Sequence, residues 1–309
     1  TWSLTSTFDL YSDKMMSGIA TAPTSTLKLI VILFMLGFAV KMALFPLHNW
    51  LPDAHAEAPT PISVILSGVM IECGTYAVAR ILLTFFGTIF VTYTIAFMTI
   101  AVITMIYGGV LALAQNDLKR LFACSSISQM GYMFLGLAAA TKYGIAGSMF
   151  HIVNHAICKG LLFMVAGVLM HQIDPIKGRD MSKLGGLAGK MPITATITLI
   201  AGLSIAGTPP LNGFWSEVWI FAGVFESGFA SESHMTSVLL IAALAVISTV
   251  ITAGYILWMI RKVFFGPPRE EFENVKEPPL TMLAPMAFLA FLAVLLGFYP
   301  DLVLRIVVP

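Results

Sequence analysis

Three side chains able to carry protons recur at four-residue intervals in the middle of the chain: His151, His155 and Lys159. That interval places all three on one face of a helix, about 6 Å apart per step. Imidazole accepts and donates a proton near neutral pH, and a desolvated lysine can have its pKa lowered into the working range. In line they read as a proton wire. Two other readings fit the spacing. One is a pair of core histidines satisfied by backbone or by Asn154. The other is a zinc site, since histidines at i and i+4 bind that metal. This face lacks an acidic or sulfur ligand, Cys158 lies off it, and Lys159 would repel a cation.

Further ionisable groups lie within apolar runs. Lys41 stands about 13 residues into its segment, roughly 20 Å along a helix axis, which makes snorkelling to the surface difficult. It calls for a carboxylate or a water cavity, and Glu72 on the next segment is the nearby candidate within a spanning segment. Glu72 is flanked by Met70, Ile71, Cys73 and Gly74, which argues for burial. Glu217 follows Thr208-Pro209-Pro210-Leu211-Asn212-Gly213 by one turn. A carboxylate beside a discontinuous helix suits H⁺ or Na⁺ binding, because unwound carbonyls add ligands. The plainer reading is a helix N-terminal acid favoured by the dipole. A loop group of His48, Asp53, His55 and Glu57 reads either as an ion entrance or as a polar connection, and Asn116-Asp117-Leu118-Lys119-Arg120 reads as a polar loop capping the next helix.

The elements that must hold these groups are membrane-spanning. Of the 309 residues, 58% are hydrophobic and 11% charged, and mean hydropathy is +0.90. A spanning helix needs about 20 mainly apolar residues. Eight such segments are expected, near 27–48, 62–84, 89–114, 121–140, 144–170, 192–226, 236–262 and 280–305. A charge at the bilayer centre costs at least roughly 2.5–3.5 kcal/mol, so buried ionisable groups there usually line an ion pathway. The first segment is broken by Pro46 and the sixth by Pro209-Pro210; proline lacks the helix donor and clashes with the preceding turn. Inside a membrane such breaks survive where protein or a water-filled cavity satisfies the freed carbonyls, and paired breaks point to a transporter site.

Net charge is +1, so neither nucleic acid nor an acidic substrate is implied. Cys73, Cys124 and Cys158 fit neither a disulfide framework nor a zinc site and read as small core residues. No cysteine cluster, haem pair or glycine-rich nucleotide loop is visible, so no cofactor is expected. Ten lysines and arginines (119, 120, 177, 179, 183, 190, 261, 262, 269 and 276) fall in loops on one side, against five (14, 28, 80, 142 and 305) on the other. The excess marks the cytoplasmic side and puts both chain ends outside. Residues 266–279 read as a solvated charged loop, and 1–26 as a polar N-terminal segment without initiator Met or signal peptide, as in a longer, processed or split protein.

These motifs resemble one family: the antiporter-like membrane subunits shared by respiratory complex I, Mrp-type Na⁺/H⁺ antiporters and membrane-bound [NiFe] hydrogenases. The resemblance rests on Lys41-x4-Pro46-Leu47-His48-x-Trp50-Leu51-Pro52-Asp53-Ala54-His55 with Ala58-Pro59-Thr60-Pro61. It continues through Asp117-Leu118-Lys119-Arg120-Leu121, Ser126-Ile127-Ser128-Gln129-Met130-Gly131, His151-x2-Asn154-His155-Ala156-x2-Lys159 and Gly207-x-Pro209-Pro210-Leu211-Asn212-Gly213-Phe214-x2-Glu217. It implies an all-α integral membrane bundle with two discontinuous helices, part of an inverted-repeat fold. Residues 27–309 would form about eight of that fold's helices, with the family's first six outside this chain. Lys41 would be the lysine of the first broken helix, the histidines and Lys159 the central connection, and Glu217 the exit gate. The glutamate that pairs with Lys41 in the family would lie among the absent helices, and Glu72 stands where relatives commonly carry lysine. Glu72 is therefore expected to partner Lys41 directly and offers a ligand to Na⁺.

The expected function is proton translocation or Na⁺/H⁺ exchange, as the non-redox subunit of an NADH dehydrogenase-like, hydrogenase or Mrp-type complex in a prokaryotic plasma membrane. The expected partners are the lipid bilayer, H⁺ and Na⁺, and other membrane subunits, including one that supplies the absent helices. The rival is a transport-inactive subunit that holds the membrane arm together.

Overall fold

The computed structural model describes Asp9, residues 12–230 and residues 234–307. Among the described residues, seven helices are long and apolar enough to cross a membrane. The chain begins with α1 (Asp13–Thr21), capped by Ser12, whose side chain accepts from the Met15 amide; this short helix stands inside the stretch read as a polar segment. α2 (Thr24–Lys41) stops before the Pro46 break, and α3 (Trp50–Glu57) resumes after it. The Asp53, His55 and Glu57 group therefore lies on a helix and not on a loop.

α4 (Thr60–Val91) carries two π-turns, Leu66–Met70 and Val78–Leu83, on either side of Glu72. α5 (Thr94–Leu113) leads to α6 (Leu118–Ala139), whose first turn is capped by Asp117 accepting from the Arg120 amide. α6 is enclosed on all sides, which explains why its apolar pattern has no polar face. α7 (Lys142–Gln172) is a 31-residue helix capped by Thr141. α8 (Pro192–Ile205) and α9 (Asn212–Phe229) are two halves of the sixth expected segment, separated by the Pro-Pro break. α10 (Met235–Phe264) and α11 (Leu280–Phe298) follow, and α12 (Asp301–Val307) turns away at Tyr299-Pro300, dividing the eighth expected segment.

Two apolar clusters form the interior, one built mainly by α2, α4, α5 and α6, the other mainly by α7, α8, α10 and α11. Close backbone approach holds the seams. A Cβ at Gly131 would strike Met105, and one at Gly147 would strike Ile220. Small residues at helix crossings are the usual solution in lipid, where apolar side chains gain little by leaving the tails. Outward, Leu29, Leu33, Val250, Phe288 and Phe291 are exposed, as a lipid-facing surface requires.

The cation-rich loops gather on one face and bind one another. Arg120 pairs with Asp53 at 2.8 Å, and Arg179 bonds Asp117 and the Ala56 carbonyl. Lys262 reaches Asn116 at 3.0 Å, and Arg269 reaches the Ser182 carbonyl at 2.6 Å. The 266–279 stretch is more than solvated: Phe272 is buried in it, and Glu277 caps α8 by accepting from the Ile193 and Thr194 amides. Hydrogen bonding from Lys177, then its charge, holds the Glu271 carboxyl below the ordinary glutamate range. Cys124 and Cys158 are buried as expected, whereas Cys73 is exposed on α4 and not a core residue.

Candidate functional site

His151, Asn154, His155, Cys158 and Lys159 are all buried on α7, yet their side chains reach different neighbours. His151 places Nε2 2.7 Å from Gln129 Oε1 on α6 and Nδ1 2.9 Å from Ser216 Oγ on α9. With Gln129 Oε1 accepting, Nε2 is the donating nitrogen and Nδ1 faces the hydroxyl. His155 Nδ1 lies 2.5 Å from Glu72 Oε1 on α4. Lys159 Nζ meets Ser125 Oγ at 2.5 Å and donates to the Phe122 carbonyl at 3.3 Å, both on α6. Shared face does not mean shared bond. Among the described residues no hydrogen bond joins one member of the triad to the next, and Asn154 does not bond either histidine. The expected linear wire is instead three branches leaving one helix.

The Glu72 branch corrects the pairing expected for Lys41. α4 meets α7 where a Cβ at Gly68 would lie 3.3 Å from the Ala156 carbonyl. One turn on from Gly68 is Glu72, and one residue before Ala156 is His155, so this crossing sets the carboxylate against the imidazole. Lys41 is the final residue of the 18-residue α2, half-buried where the helix unwinds at the break. Among the described residues it makes no hydrogen bond or ion pair. Glu72 is 4% exposed and lines a groove of about 770 Å³ with Gly68, Cys73, Tyr76 and Arg80.

At the second break, Asn212 and Asn154 bond reciprocally: Asn212 Nδ2 donates to Asn154 Oδ1 at 2.8 Å, and Asn154 Nδ2 donates to the Asn212 carbonyl at 2.9 Å. Asn212 Oδ1 also accepts from Ser204 and from the Gly213 amide. Asn154 Nδ2 donates to Ser216 Oγ at 3.0 Å, which ties the break to the His151 branch. Glu217 is 5% exposed, one turn deeper than the break as expected. Its carboxylate lies against Gly207, in the space a Cβ there would need, and Gly207 holds a left-handed φ of 66°. Glycine meets both demands at once.

The expected entrance group divides. His55 is fully buried and stacks on Phe163 with centroids 4.5 Å apart. His48 is buried against Phe45 and Tyr107. Asp53 and Glu57 point out to the cation-rich face. Sequence reading missed Lys119, which is 1% exposed and donates to the Ala58 carbonyl at the end of α3. It also missed Gln129, Ser125 and Ser216. The run Ser125-Ser126-Ile127-Ser128-Gln129 within an apolar helix was the available signal.

A family model described as NADH:quinone oxidoreductase/Mrp antiporter, transmembrane, matches residues 3–252. The chain is 38% identical over 290 residues to a Na⁺/H⁺ antiporter subunit of Alkalihalophilus pseudofirmus, covering 88% of this chain and 35% of that protein. It is 34% identical over 282 residues to an NADH-quinone oxidoreductase subunit of Rhodobacter capsulatus, covering 91% and 52%. Respiratory complex I from Thermus thermophilus contains a chain that matches with a TM-score of 0.84 and 25% identity, over 96% of this chain and 60% of that one. The chain thus spans about half the length of the curated relatives it matches, or less. On the two broken helices, the buried triad of α7 and a match over residues 3–252, this chain belongs to the NADH:quinone oxidoreductase/Mrp antiporter transmembrane family.

Proposed function

We propose that this chain translocates protons, or exchanges Na⁺ for H⁺, as one subunit of a larger redox-driven or Mrp-type membrane complex. The observation that carries the reading is the α7 triad. Three ionisable side chains are fully or almost fully buried in a membrane-spanning bundle, each bonded to a different group: Glu72, Gln129 with Ser216, or Ser125. Such groups are expensive in lipid and are retained where they carry ions. The relatives support the reading, since one is named for Na⁺/H⁺ antiport and another for quinone oxidoreduction.

In this reading Lys41 alternates between charged and neutral forms as neighbouring charges change. His151, His155 and Lys159 pass protons across the bundle, and Glu217 binds and releases the ion at the far side. Glu72, bonded to His155, feeds or drains the centre and adds a ligand for Na⁺. A unit charge at about 4 Å contributes roughly 4 kcal/mol at an effective dielectric of 20, enough to switch a site by about three pKa units. His48, Asp53, His55 and Glu57 serve the entrance on the cation-rich face, which is the inner face of a prokaryotic plasma membrane, with both ends of the chain outside. Other membrane subunits are its partners.

The test is ion flux in sealed vesicles carrying the intact complex, with H⁺ and Na⁺ read separately. Lys159→Ala, Glu217→Gln and Glu72→Gln are each expected to lower flux at least about tenfold with assembly unchanged. Native flux in all three would leave a scaffold role and sink the proposal.

A further inference from the structure

Where α10 ends on the cation-rich face, a cavity of about 410 Å³ opens between the helix, residues 181–184 and the turn that follows Phe264. Small-ligand clefts usually measure about 300–1,000 Å³. Arg261, Lys262 and Arg269 line it with Trp258 and Phe265, and no acid is among its lining residues. Lys262 Nζ lies 4.7 Å from the centre of the Trp258 ring and donates to Asn116 Oδ1 at 3.0 Å. Arg269 Nη2 donates to the Ser182 carbonyl at 2.6 Å. Arg261 is exposed, and among the described residues its guanidinium has neither hydrogen bond nor ion pair.

Two plain readings account for cations here. Basic residues in a last helical turn offset the C-terminal carbonyls, and basic loops orient a membrane chain. Neither asks for a shared cavity free of acids. Other cations of this face are paired: Arg120 with Asp53, Arg179 with Asp117, Lys177 with Glu271 and Lys183 with Asp180. Glu271 also feels the charge of Arg269, but Lys177 already holds its carboxylate. Arginine has five N–H donors and lysine three, so most donors around the cavity stay free for an anion.

Below the cavity the helix is apolar and faces outward. Val250, Gly254, Leu257, Arg261 and Phe265 recur at spacings of three or four on one face, and all are exposed. A Cβ at Gly254 would meet nothing within 4 Å, which leaves a shallow dent in the stripe. From Arg261 to Val250 the helix rises about 16 Å, close to half of a roughly 30 Å hydrocarbon core. A phosphate held at Arg261 thus has an apolar track beneath it, one leaflet deep.

We propose that this cavity is the headgroup site of one anionic phospholipid. Arg261, Lys262 and Arg269 hold its phosphate, and its acyl chains lie along Leu257, Gly254 and Val250. Trp258 stands at the boundary between head and chains, where interfacial tryptophans gather. Three cations around one phosphate leave a positive excess, which selects an anionic lipid over a zwitterionic one. The site lies apart from the buried groups of α7 and does not depend on the transport reading.

The test is photolabelling of the intact complex in phosphatidylcholine nanodiscs. These carry a small share of phosphatidylglycerol, or of phosphatidylcholine, with a photoreactive acyl chain, and labelled α10 peptides are read by mass spectrometry. Phosphatidylglycerol is expected to label residues 250–257 at least about fivefold more than phosphatidylcholine, the factor one cation contributes near an anionic headgroup. Arg261→Gln combined with Arg269→Gln should bring the two probes level, while Arg305→Gln on α12 keeps the preference. If the combined variant does not assemble, Arg261→Gln decides alone, since that side chain has no partner to lose. Equal labelling by both probes in the native chain overturns the site, as does a preference that survives the Arg261 substitution or falls equally in Arg305→Gln. Label on other helices but none on α10 also overturns it, because a protein neighbour then covers the stripe. Loss of the preference in excess inorganic phosphate would mark a site for the free anion and overturn the lipid.

Discussion

The two breaks in the bundle, at Pro46 and at Pro209-Pro210, are alike in backbone and unlike in fastening. Each contains a cis X-Pro peptide bond and a residue in the left-handed region, Ala43 at φ 54° and Gly207 at φ 66°. The first is held by a hydrogen bond from the Phe45 amide to Thr104 Oγ1 at 3.1 Å, by Trp50 Nε1 donating to the Val40 carbonyl, and by ring contacts of His48. The second is held by the reciprocal amides of Asn154 and Asn212, with Ser204 and Ser216 attached. The ionisable residue follows the fastening. Lys41 sits half-buried at the looser break, while Glu217 is buried against the tighter one. A broken helix in a membrane must find new partners for its freed backbone, and how many it finds sets how far the break can move.

If that contrast holds, damage to the second break costs more. Asn212→Leu takes the donor from the buried Asn154 Oδ1 and the acceptor from the buried Ser204 hydroxyl, which should destabilise by about 3 kcal/mol or more. Thr104→Val at the first break orphans one amide and should cost about 1 kcal/mol. Thermal unfolding of the purified complex compares them, and equal losses would remove the distinction.

Gly207 sharpens the same contrast. Ala43 shows that a Cβ is tolerated at a left-handed position in the first break, so φ alone does not demand glycine. At Gly207 the Glu217 carboxylate occupies the space. Gly207→Ala should cost about 2 kcal/mol, and about half should return when Glu217→Ala is combined with it. Strict additivity would mean that the carboxylate is not what excludes the Cβ.

The smallest effect is expected away from both breaks, at the exposed Lys177–Glu271 pair, 3.0 Å apart. Lys177 depresses the Glu271 pKa, so whatever the pair contributes is present above the ordinary glutamate range and is lost as pH falls below it. Titration of stability from pH 7 to about 4 should therefore differ only marginally between the native chain and Glu271→Gln, as exposed pairs contribute little. A larger difference would place the loops on a par with the breaks.

Much of the site was legible because lipid makes charge conspicuous. Glu72, Lys159 and Glu217 stand out in apolar runs, and each is buried in the fold. The prolines announced both breaks. Gln129 and Ser125 were not legible: a polar residue in a helix becomes part of a site only through its partner, and these partners lie 22 and 130 residues away for His151 and Tyr255. Lys119 was read as a surface residue because its neighbours are charged, yet the end of α3 folds over it.

Local chemistry, carried by residue type and spacing, settled that this chain crosses a membrane, where its helices break and which face collects the cations. Partnership was settled in three dimensions. Glu72 meets His155 and not Lys41, because Gly68 lets α4 approach α7 at Ala156. The three residues at four-residue spacing on α7 diverge into separate branches, because the groups nearest to each come from different helices. Helical periodicity decides which way a side chain faces; only the crossing of two helices decides what it finds there.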